Sequence, residues 1–219
     1  ATTTAELAIA HIFSLSRNLP QADRSVRAGK WERNKFLGVE LSGKTVGVIG
    51  FGTIGRLVAE RCAGLNMRVL GFDPFVTEDT FKEHTVEKKE LEDLLEKSDY
   101  VTLHCPVTDG TREMFNSELF SKMRKGAFLI NCARGELVNE VALAEAVTSG
   151  VLAGAAVDVF NQEPPKESPL LSLDNVYFTP HLGASTHEAQ SAVGVEIAHS
   201  IASYLIRGEV RNAVNVPNL

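Results

Sequence analysis

The sequence predicts an α/β protein built on a doubly wound, mostly parallel β-sheet. Short apolar runs of strand length alternate with segments of helical periodicity, and this alternation is typical of βαβ units. The chain shows no internal repeat and no low-complexity linker. The apolar runs are residues 45–49, 68–72, 100–103, 127–130, 153–157 and, more weakly, 176–178, and the helix-like segments between them are residues 53–64, 87–97, 116–122 and 139–149.

Helices are also expected at both ends of the chain. Residues 5–15 carry apolar side chains at helical spacing, and Thr4 is the expected N-cap. A more polar helix is expected over residues 17–30, where Gly29 would end it. A long helix with one apolar stripe is expected over residues 185–206. The apolar faces of the first and last helices either pack within the domain or form a two-fold interface, and the sequence leaves both open.

Composition limits the class of protein. The chain has 219 residues, of which 44% are hydrophobic and 23% charged, and this suits one large packed domain. The formal net charge of −6, with the two signs interspersed, argues against nucleic acid or an anionic membrane as the main partner. A local basic site for an anionic substrate stays compatible with this charge. No apolar run approaches the length of a membrane span.

The three cysteines, Cys62, Cys105 and Cys132, lie far apart in the sequence. No pair has the short spacing of a zinc site, and nothing in their number or spacing suggests a disulfide framework. We therefore expect no metal site, and the cysteine usage indicates a reducing, intracellular setting. The cytoplasm is the expected compartment, with an organelle left open.

A glycine-rich turn is the strongest functional motif. The sequence GFGTIG at residues 50–55 follows an apolar strand-like run and opens a segment of helical pattern. In a dinucleotide site Gly50 permits the tight turn, Gly52 lets backbone approach a pyrophosphate, and Gly55 lets helix and strand pack closely. The free N–H groups at the helix N-terminus then face the anion. The motif therefore predicts a Rossmann-type dinucleotide-binding domain.

Asp73 narrows the choice of dinucleotide. It ends the second strand-like run, close to the interval of about 20 residues that such sites use. A carboxylate there accepts hydrogen bonds from ribose hydroxyls and repels a 2′-phosphate, so NAD is favoured over NADP. The alternative is that the glycines serve ordinary βα turns and that Asp73, before Pro74, is a turn aspartate. The strand, the spacing and the acid together favour the NAD site.

Three later segments place reactive side chains after strand-like runs, where the carboxyl ends of parallel strands face a ligand crevice. Arg134 could grip a substrate carboxylate through two hydrogen bonds, or it could be a surface or structural arginine. A carboxylate from residues 158–165 and the imidazole of His181 could form an acid–base pair. Spacing alone does not choose His181 over His104, which also ends a strand.

The motifs taken together carry a resemblance. Residues 50–55 with Asp73 and Pro74, residues 131–135, residues 158–164 and residues 180–186 resemble the D-2-hydroxyacid dehydrogenase family, in this order and over nearly the whole chain. Residues 29–33 and 71–74 resemble its D-3-phosphoglycerate dehydrogenase branch. That branch implies conversion of 3-phosphoglycerate to 3-phosphohydroxypyruvate in serine biosynthesis.

The resemblance implies roles for individual residues. Arg134 would bind the substrate's carboxylate and carbonyl oxygen, His181 would be the acid–base group, and Glu163 its partner. In oxidation, neutral His181 would take the hydroxyl proton while a hydride passes from C2 to NAD. The residues implied to surround NAD are Gly50, Gly52 and Gly55 in the turn, Thr53 and Ile54 at the pyrophosphate, Asp73 at the adenosine ribose, Cys105 on the adenine side, and Cys132, Ala133, Asp158, His181, Leu182, Gly183 and Ala184 around the nicotinamide half. His104 and Arg134 are also expected to contact the cofactor.

The resemblance also bears on domain organisation. Family members carry an N-terminal stretch that forms most of a substrate domain, and this sequence starts near the helix that links the two domains. We therefore expect residues 1–206 to form an NAD-binding domain, with residues 1–17 as the linking helix and residues 207–219 returning towards the substrate domain. The chain alone is expected to bind NAD but to turn over slowly or not at all. A homo-oligomer, dimer or tetramer, is implied for the full-length protein.

Two alternatives to this function remain open from the sequence, while a third, a nucleotide-binding domain with no catalytic role, is disfavoured by the co-occurrence of Arg134, Glu163 and His181. The first is another enzyme of the family, such as a glyoxylate or hydroxypyruvate reductase. The second belongs to a different class, a corepressor of the C-terminal-binding-protein type, which retains the same arginine, glutamate and histidine and uses NAD as a ligand that promotes dimerisation. The region around Trp31 and the Asp73-Pro74 context favour the biosynthetic enzyme.

Overall fold

A computed structural model describes residues 1–210 and contains one sheet in that range, with seven strands. Every pair of neighbouring strands is parallel, and the order across the sheet is β3-β2-β1-β4-β5-β6-β7. This is the Rossmann order with one further strand at the edge. The strands are β1 Thr45–Ile49, β2 Arg68–Phe72, β3 Glu87–Lys88, β4 Tyr100–Leu103, β5 Ala127–Asn131, β6 Leu152–Val157 and β7 Val176–Phe178.

Helices cover both faces of the sheet. Strand residues alternate between the two faces, so that Val48 contributes to one apolar core with α1, α3 and α4, while Ile49 contributes to the other with α5, α6 and α7. The α-helices are α1 Thr2–Arg17, α2 Leu19–Arg27, α3 Thr53–Gly64, α4 Glu78–Glu83, α5 Leu91–Lys97, α6 Ser117–Lys122, α7 Glu140–Thr148 and α8 His187–Arg207, and short 3₁₀ helices span Arg33–Phe36, Gly135–Leu137 and Pro169–Ser172.

The predicted α/β class and the six apolar strands are confirmed, and α3 has the predicted bounds. The helix predicted over residues 87–97 is wrong in its first part, because Glu87–Lys88 is an edge strand and the helix begins at Leu91. The sequence did not predict this strand because both of its residues are charged. It lies at the edge of the sheet and pairs with β2, and charged residues are usual in edge strands. Helix α4 was also missed.

The N-cap predicted for the first helix is wrong. The helix begins at Thr2 after Ala1, and no side chain caps it. Thr4 lies within the first turn, where its hydroxyl donates to the carbonyl oxygen of Gly183. The second helix ends at Arg27, and Gly29 follows with a φ of 75°, the left-handed conformation that glycine adopts without strain.

The residues separate into two compact units, Ala1–Gly183 and a second that starts at Ala184. In the second unit, Thr186 caps α8 by accepting a hydrogen bond from the Ala189 N–H, and Gly208 ends the helix at a φ of 68°. The limits expected for the NAD-binding domain, residues 1–206, stay a prediction. The segment expected to return towards a substrate domain lies outside the described residues from position 211 onwards. Among the described residues, no helix has the length and apolar character that crossing a bilayer requires.

The order of the strands positions the site. β1 lies between β2 and β4, so the chain crosses the sheet in opposite directions on the two sides of β1. A crevice opens at the carboxyl ends of the strands where the direction of crossing changes. The segments after β1, β2, β4, β5, β6 and β7 therefore meet along one edge.

A glycine inside β1 sets how closely helix α5 approaches the sheet. A Cβ at Gly47 would overlap the side chain of Leu94 and lie 2.5 Å from Ser98 Oγ. We expect Gly47→Ala to lower the free energy of unfolding by about 1–3 kcal/mol through overpacking, measured by urea denaturation. Gly64→Ala is the control, because a Cβ there meets nothing within 4 Å, and its stability should be unchanged or slightly higher. Equal stabilities of the two variants would contradict this packing argument.

Candidate functional site

The glycine turn is held between β2 and β4. The Gly50 N–H donates to the Phe72 carbonyl oxygen at 2.9 Å, and Gly50 has a φ of 90°. A Cβ on Gly50 would lie 2.5 Å from the Cys105 nitrogen, and one on Gly55 would overlap the Gly50 carbonyl oxygen. Both glycines are therefore required by backbone packing within the protein itself.

Gly52 differs from its two neighbours in the motif. A Cβ built on it meets nothing within 4 Å, so the empty space beside this residue is open to a ligand. Gly52 is also the N-cap of α3, and no side chain caps that helix. The first N–H groups of the 12-residue helix, which starts with Thr53 and Ile54, are left for an anion.

Asp73 folds back onto the glycine turn. One carboxylate oxygen accepts the Phe51 N–H at 2.9 Å and the other accepts the Phe75 N–H at 2.9 Å. Asp73 therefore positions the turn, a role that the sequence did not reveal because it depends on the pairing of β1 with β2. The side chain is half-buried, and each oxygen keeps a lone pair for a ribose hydroxyl.

The two strand-end histidines lie in different surroundings. His104 Nε2 is 2.9 Å from Thr102 Oγ1, and its Nδ1 is shielded from solvent with no hydrogen-bond partner among the described residues. Burial lowers the pKa of His104 to about 4, so its ring is neutral. His181 Nδ1, in contrast, lies 2.7 Å from Glu163 Oε2. The structure therefore pairs His181, rather than His104, with an acid.

The pair of His181 and Glu163 is built from the segments after β7 and β6. His181 has a φ of 54°, which is uncommon for a residue with a side chain and marks a backbone held by its surroundings. The other oxygen of Glu163 accepts the Phe160 N–H at 3.1 Å. The hydrogen bond with His181 lowers the pKa of Glu163, and the N–H of Phe160 and the charge of Arg134 contribute further. Glu163 is therefore the acceptor in the pair.

A buried asparagine fixes the backbone that carries Arg134. Asn131 donates to the Arg134 carbonyl oxygen at 2.9 Å and accepts the Ala133 N–H at 3.1 Å, so it fixes the turn after β5. A Cβ on Gly135 would overlap the Phe160 backbone, so glycine lets this turn pack against the segment that carries Glu163. The Arg134 side chain is exposed at the surface. Sequence reasoning missed the role of Asn131, whose signal is its position directly before the arginine turn.

Asp158 lies completely buried beneath the segment that carries His181. Its carboxylate accepts the Thr179 hydroxyl at 2.6 Å, the Leu182 N–H at 2.7 Å and the Gly183 N–H at 2.9 Å. Its carbonyl oxygen accepts the His181 N–H at 2.9 Å. Asp158 therefore orders the backbone around His181, and its contact with the cofactor stays a prediction.

The remaining predicted residues flank these elements. Cys105 follows β4 and Cys132 follows β5, and both are free thiols. Burial raises the pKa of Cys105 to about 11 and raises that of Cys132 further, so neither is an activated nucleophile. Ala184 is the first residue of the second unit, and its contact with the cofactor stays a prediction. The described residues contain no group of three or more histidine, cysteine or acidic side chains arranged for a metal.

Comparison with known proteins agrees with this geometry. Residues 9–183 match the family described as D-isomer specific 2-hydroxyacid dehydrogenase, NAD binding domain. The chain belongs to this family.

Relatives in this family share much of the sequence. D-3-phosphoglycerate dehydrogenase of Archaeoglobus fulgidus is 49% identical over 99% of this chain and 41% of its own length. The enzyme of the same name from Homo sapiens is 42% identical over 99% of this chain and 41% of its own length. The chain thus spans about two fifths of the length of these relatives.

Solved structures share the fold. A pyruvate reductase of Chlamydomonas reinhardtii superposes with a TM-score of 0.91 at 32% identity and covers 96% of this chain and 68% of its own. An NAD-dependent formate dehydrogenase of Staphylococcus aureus, solved in complex with NAD, gives a TM-score of 0.87 at 30% identity over 96% of this chain and 64% of its own.

NAD is the cofactor of this family's domain, and the residues present fit it. The open space at Gly52, the uncapped N-terminus of α3 and the half-buried Asp73 suit a pyrophosphate and an adjacent ribose. The contacts of these residues with the cofactor stay a prediction.

Gly52 tests the pyrophosphate site directly. Because a Cβ at this position meets no protein atom, we expect Gly52→Ala to fold with unchanged stability. The same methyl group would fill the space left for the pyrophosphate and raise the dissociation constant for NAD roughly tenfold or more, measured by isothermal calorimetry. Gly64→Ala, at the far end of the same helix, should bind NAD normally. Undiminished affinity in the Gly52 variant would show that the anion lies elsewhere.

Asp73 should determine the preference for NAD over NADP. Asp73→Ala removes the charge and also the acceptor for the Phe51 N–H, so NAD affinity should fall by about tenfold and rejection of NADP should relax. Asp73→Asn keeps an acceptor but loses the charge. It should relax the rejection of NADP at a smaller loss of NAD affinity. Calorimetry with both nucleotides measures the ratio, and a ratio unchanged in both variants would remove Asp73 from the ribose site.

Proposed function

We propose that this chain is the NAD-binding part of a D-3-phosphoglycerate dehydrogenase that interconverts 3-phosphoglycerate and 3-phosphohydroxypyruvate. The 2.7 Å hydrogen bond between His181 and Glu163 is the observation that carries the proposed dehydrogenase chemistry, and the charge of Arg134 helps to lower the pKa of that glutamate. The names of the relatives at 42–49% identity favour this substrate.

The geometry assigns the tautomer of His181. A carboxylate only accepts hydrogen bonds, so the proton between the two groups belongs to His181 Nδ1. In the neutral ring Nε2 then carries the free lone pair, and this nitrogen takes the proton of the substrate hydroxyl in the oxidative direction. Glu163 holds the ring in this orientation and stabilises the protonated form that results. Bound NAD supplies the acceptor for the hydride that leaves C2.

Arg134 binds the substrate carboxylate and the oxygen on C2. Its guanidinium can donate two parallel hydrogen bonds to a substrate carboxylate, and a further N–H is available to the oxygen on C2. A cation there also stabilises the negative charge on this oxygen during proton transfer. Arg134 therefore fixes the substrate so that the C2 hydroxyl faces His181.

The exposure of the pair supports slow turnover by this chain alone. The side chain of His181 is 52% exposed and that of Glu163 is 38% exposed. Water competes for hydrogen bonds at such a site, and closure around the substrate normally excludes it. We propose that further residues of the whole protein complete the site, and that the whole protein is a homo-oligomer in an intracellular compartment.

A different substrate within the family is the main competing function. A glyoxylate reductase from Paecilomyes thermophila superposes with a TM-score of 0.90 at 29% identity. The same histidine, glutamate and arginine would serve any 2-hydroxy acid, so the geometry of this cluster does not select among them. Turnover of 3-phosphohydroxypyruvate and of glyoxylate with NADH, measured side by side, separates the two functions. A preference for glyoxylate would overturn the assignment to phosphoglycerate.

Glu163 offers the sharpest test of the mechanism. Glu163→Gln keeps the shape of the side chain but removes the charge that stabilises protonated His181. We expect kcat for reduction of 3-phosphohydroxypyruvate to fall roughly tenfold to a hundredfold, while calorimetry shows NAD affinity within about twofold of the parent. Because this chain is expected to turn over slowly, the rate is measured in a single turnover at high protein concentration. An unchanged rate of the chemical step would exclude the pair from catalysis.

Lys166→Gln is the matched control. It removes a charge from the same loop, three residues further along, at an exposed position that forms no part of the pair. This variant should retain the parent rate, and a loss equal to that of Glu163→Gln would mean that the loop, rather than the carboxylate, is responsible.

A further inference from the structure

Helix α1 contacts the segment that carries His181 at two points. The Thr4 hydroxyl donates to the Gly183 carbonyl oxygen at 2.8 Å, and His11 Nε2 lies 3.0 Å from Thr179 Oγ1. Thr4 and His11 are seven residues apart, about two turns of a helix, so both project from the same face of α1. Helix α1 is therefore hydrogen-bonded to one residue before His181 and to one residue after it.

The direction of the hydrogen bond from His11 follows from its partners. His11 is buried, and burial lowers its pKa although the charge of Asp158 opposes this, so the ring is neutral and has one N–H. Thr179 lies 2.6 Å from Asp158, whose carboxylate already accepts two backbone N–H groups. The single hydroxyl hydrogen of Thr179 goes to this carboxylate. Thr179 Oγ1 must then accept from His11 Nε2–H.

The result is a directed chain of hydrogen bonds from His11 through Thr179 to Asp158. A hydroxyl that accepts one hydrogen bond donates a stronger one, so His11 strengthens the bond that ties Thr179 to the buried carboxylate. The same carboxylate holds the N–H groups of Leu182 and Gly183. Loss of the His11 donor therefore weakens the hydrogen bonds that hold the chain before His181, at Thr179, and after it, at Leu182 and Gly183.

We propose that Thr4 and His11 are positioning residues, which keep the His181 segment at hydrogen-bonding distance from Glu163. This inference rests on the proposed function of His181 as the acid–base group. Neither residue touches the reacting atoms. They act through the backbone of residues 179–183, which is also where the uncommon φ of His181 has to be maintained.

Amide hydrogen exchange in this protein tests the hydrogen bonds from His11 through Thr179 to Asp158 without requiring catalytic turnover. His11→Leu removes the donor, and the Leu182 and Gly183 amides should exchange roughly fivefold to tenfold faster. His11→Gln places an amide donor near the position of Nε2 and should restore most of the protection. Thr179→Val should resemble His11→Leu, and the double variant should be no worse than either single one.

Ser16→Ala is the matched control. Ser16 is buried on the same helix, but its hydroxyl contacts Tyr100 of β4 rather than the His181 segment. This variant should lose stability without changing exchange at Leu182 and Gly183. Thr4→Val, an isosteric change at a half-buried position, keeps the test informative if His11→Leu does not fold, and it should accelerate exchange at Gly183 and its neighbours.

A second measurement separates positioning from general stability. The pKa of Glu163 is lowered chiefly by its hydrogen bond with His181, so carbon-13 NMR of that carboxylate reports the pairing in the folded state. In His11→Leu and Thr4→Val the pKa of Glu163 should rise towards its ordinary value, and in Ser16→Ala it should not. His181→Asn, which tolerates the left-handed backbone, gives the full rise as a reference.

The outcomes are distinct. An unchanged pKa of Glu163 and unchanged exchange at Leu182 and Gly183 in His11→Leu, Thr179→Val and Thr4→Val would overturn the positioning inference. Reduction of 3-phosphohydroxypyruvate by the His181→Asn variant at the rate of the parent chain, measured in a single turnover, would overturn the proposed acid–base function of His181 instead, and would leave the exchange results untouched.

Discussion

The site depends on backbone segments that approach more closely than side chains allow. Gly50 lies against the start of the segment after β4, Gly55 against Gly50, and Gly135 against Phe160, and a Cβ at any of the three would overlap or crowd main-chain atoms. A parallel sheet brings its carboxyl ends to one edge, but it does not by itself bring the connecting segments into contact. The glycines supply that contact. They bring the segment after β1 against the segment after β4, and the segment after β5 against the segment after β6.

Carboxylates then fix the positions of these segments. Asp73, Asp158 and Glu163 all follow strands. Asp73 and Asp158 each accept a backbone N–H from a neighbouring segment, and Glu163 accepts the N–H of Phe160 within its own segment. Asp158 is fully buried, where an unpaired carboxylate would be destabilising by several kcal/mol, so its hydrogen bonds are a condition of the fold. Asp73 and Glu163 retain lone pairs towards the crevice. Glu163 thus both orders the backbone and contacts a histidine.

The sequence predicted the elements whose signal is local. The apolar runs, the glycine turn and Asp73 are visible in the sequence because each has a fixed spacing from its neighbours. The structure confirms the strands and the turn between β1 and α3, while the contact of Asp73 with a ribose stays a prediction. Strand Glu87–Lys88 was missed because a two-residue charged strand has no apolar period. The hydrogen bonds of Asp158 join residues that are more than 20 positions apart, and the contact of His11 with Thr179 spans most of the chain. Such contacts depend on how the helix and the last strand meet, which spacing does not reveal.

The difference between His104 and His181 shows what the site adds to the sequence. Both follow strands of the same sheet, but the segment after β4 brings no acid to His104, and burial keeps that ring neutral. The segment after β6 turns back at Glu163 and places a carboxylate against His181. A ring that exchanges a proton with a substrate needs access to the crevice and a charge that stabilises its protonated form. Of these two histidines, His181 alone has both, because Gly135 and Asp158 hold the segments after β5, β6 and β7 together.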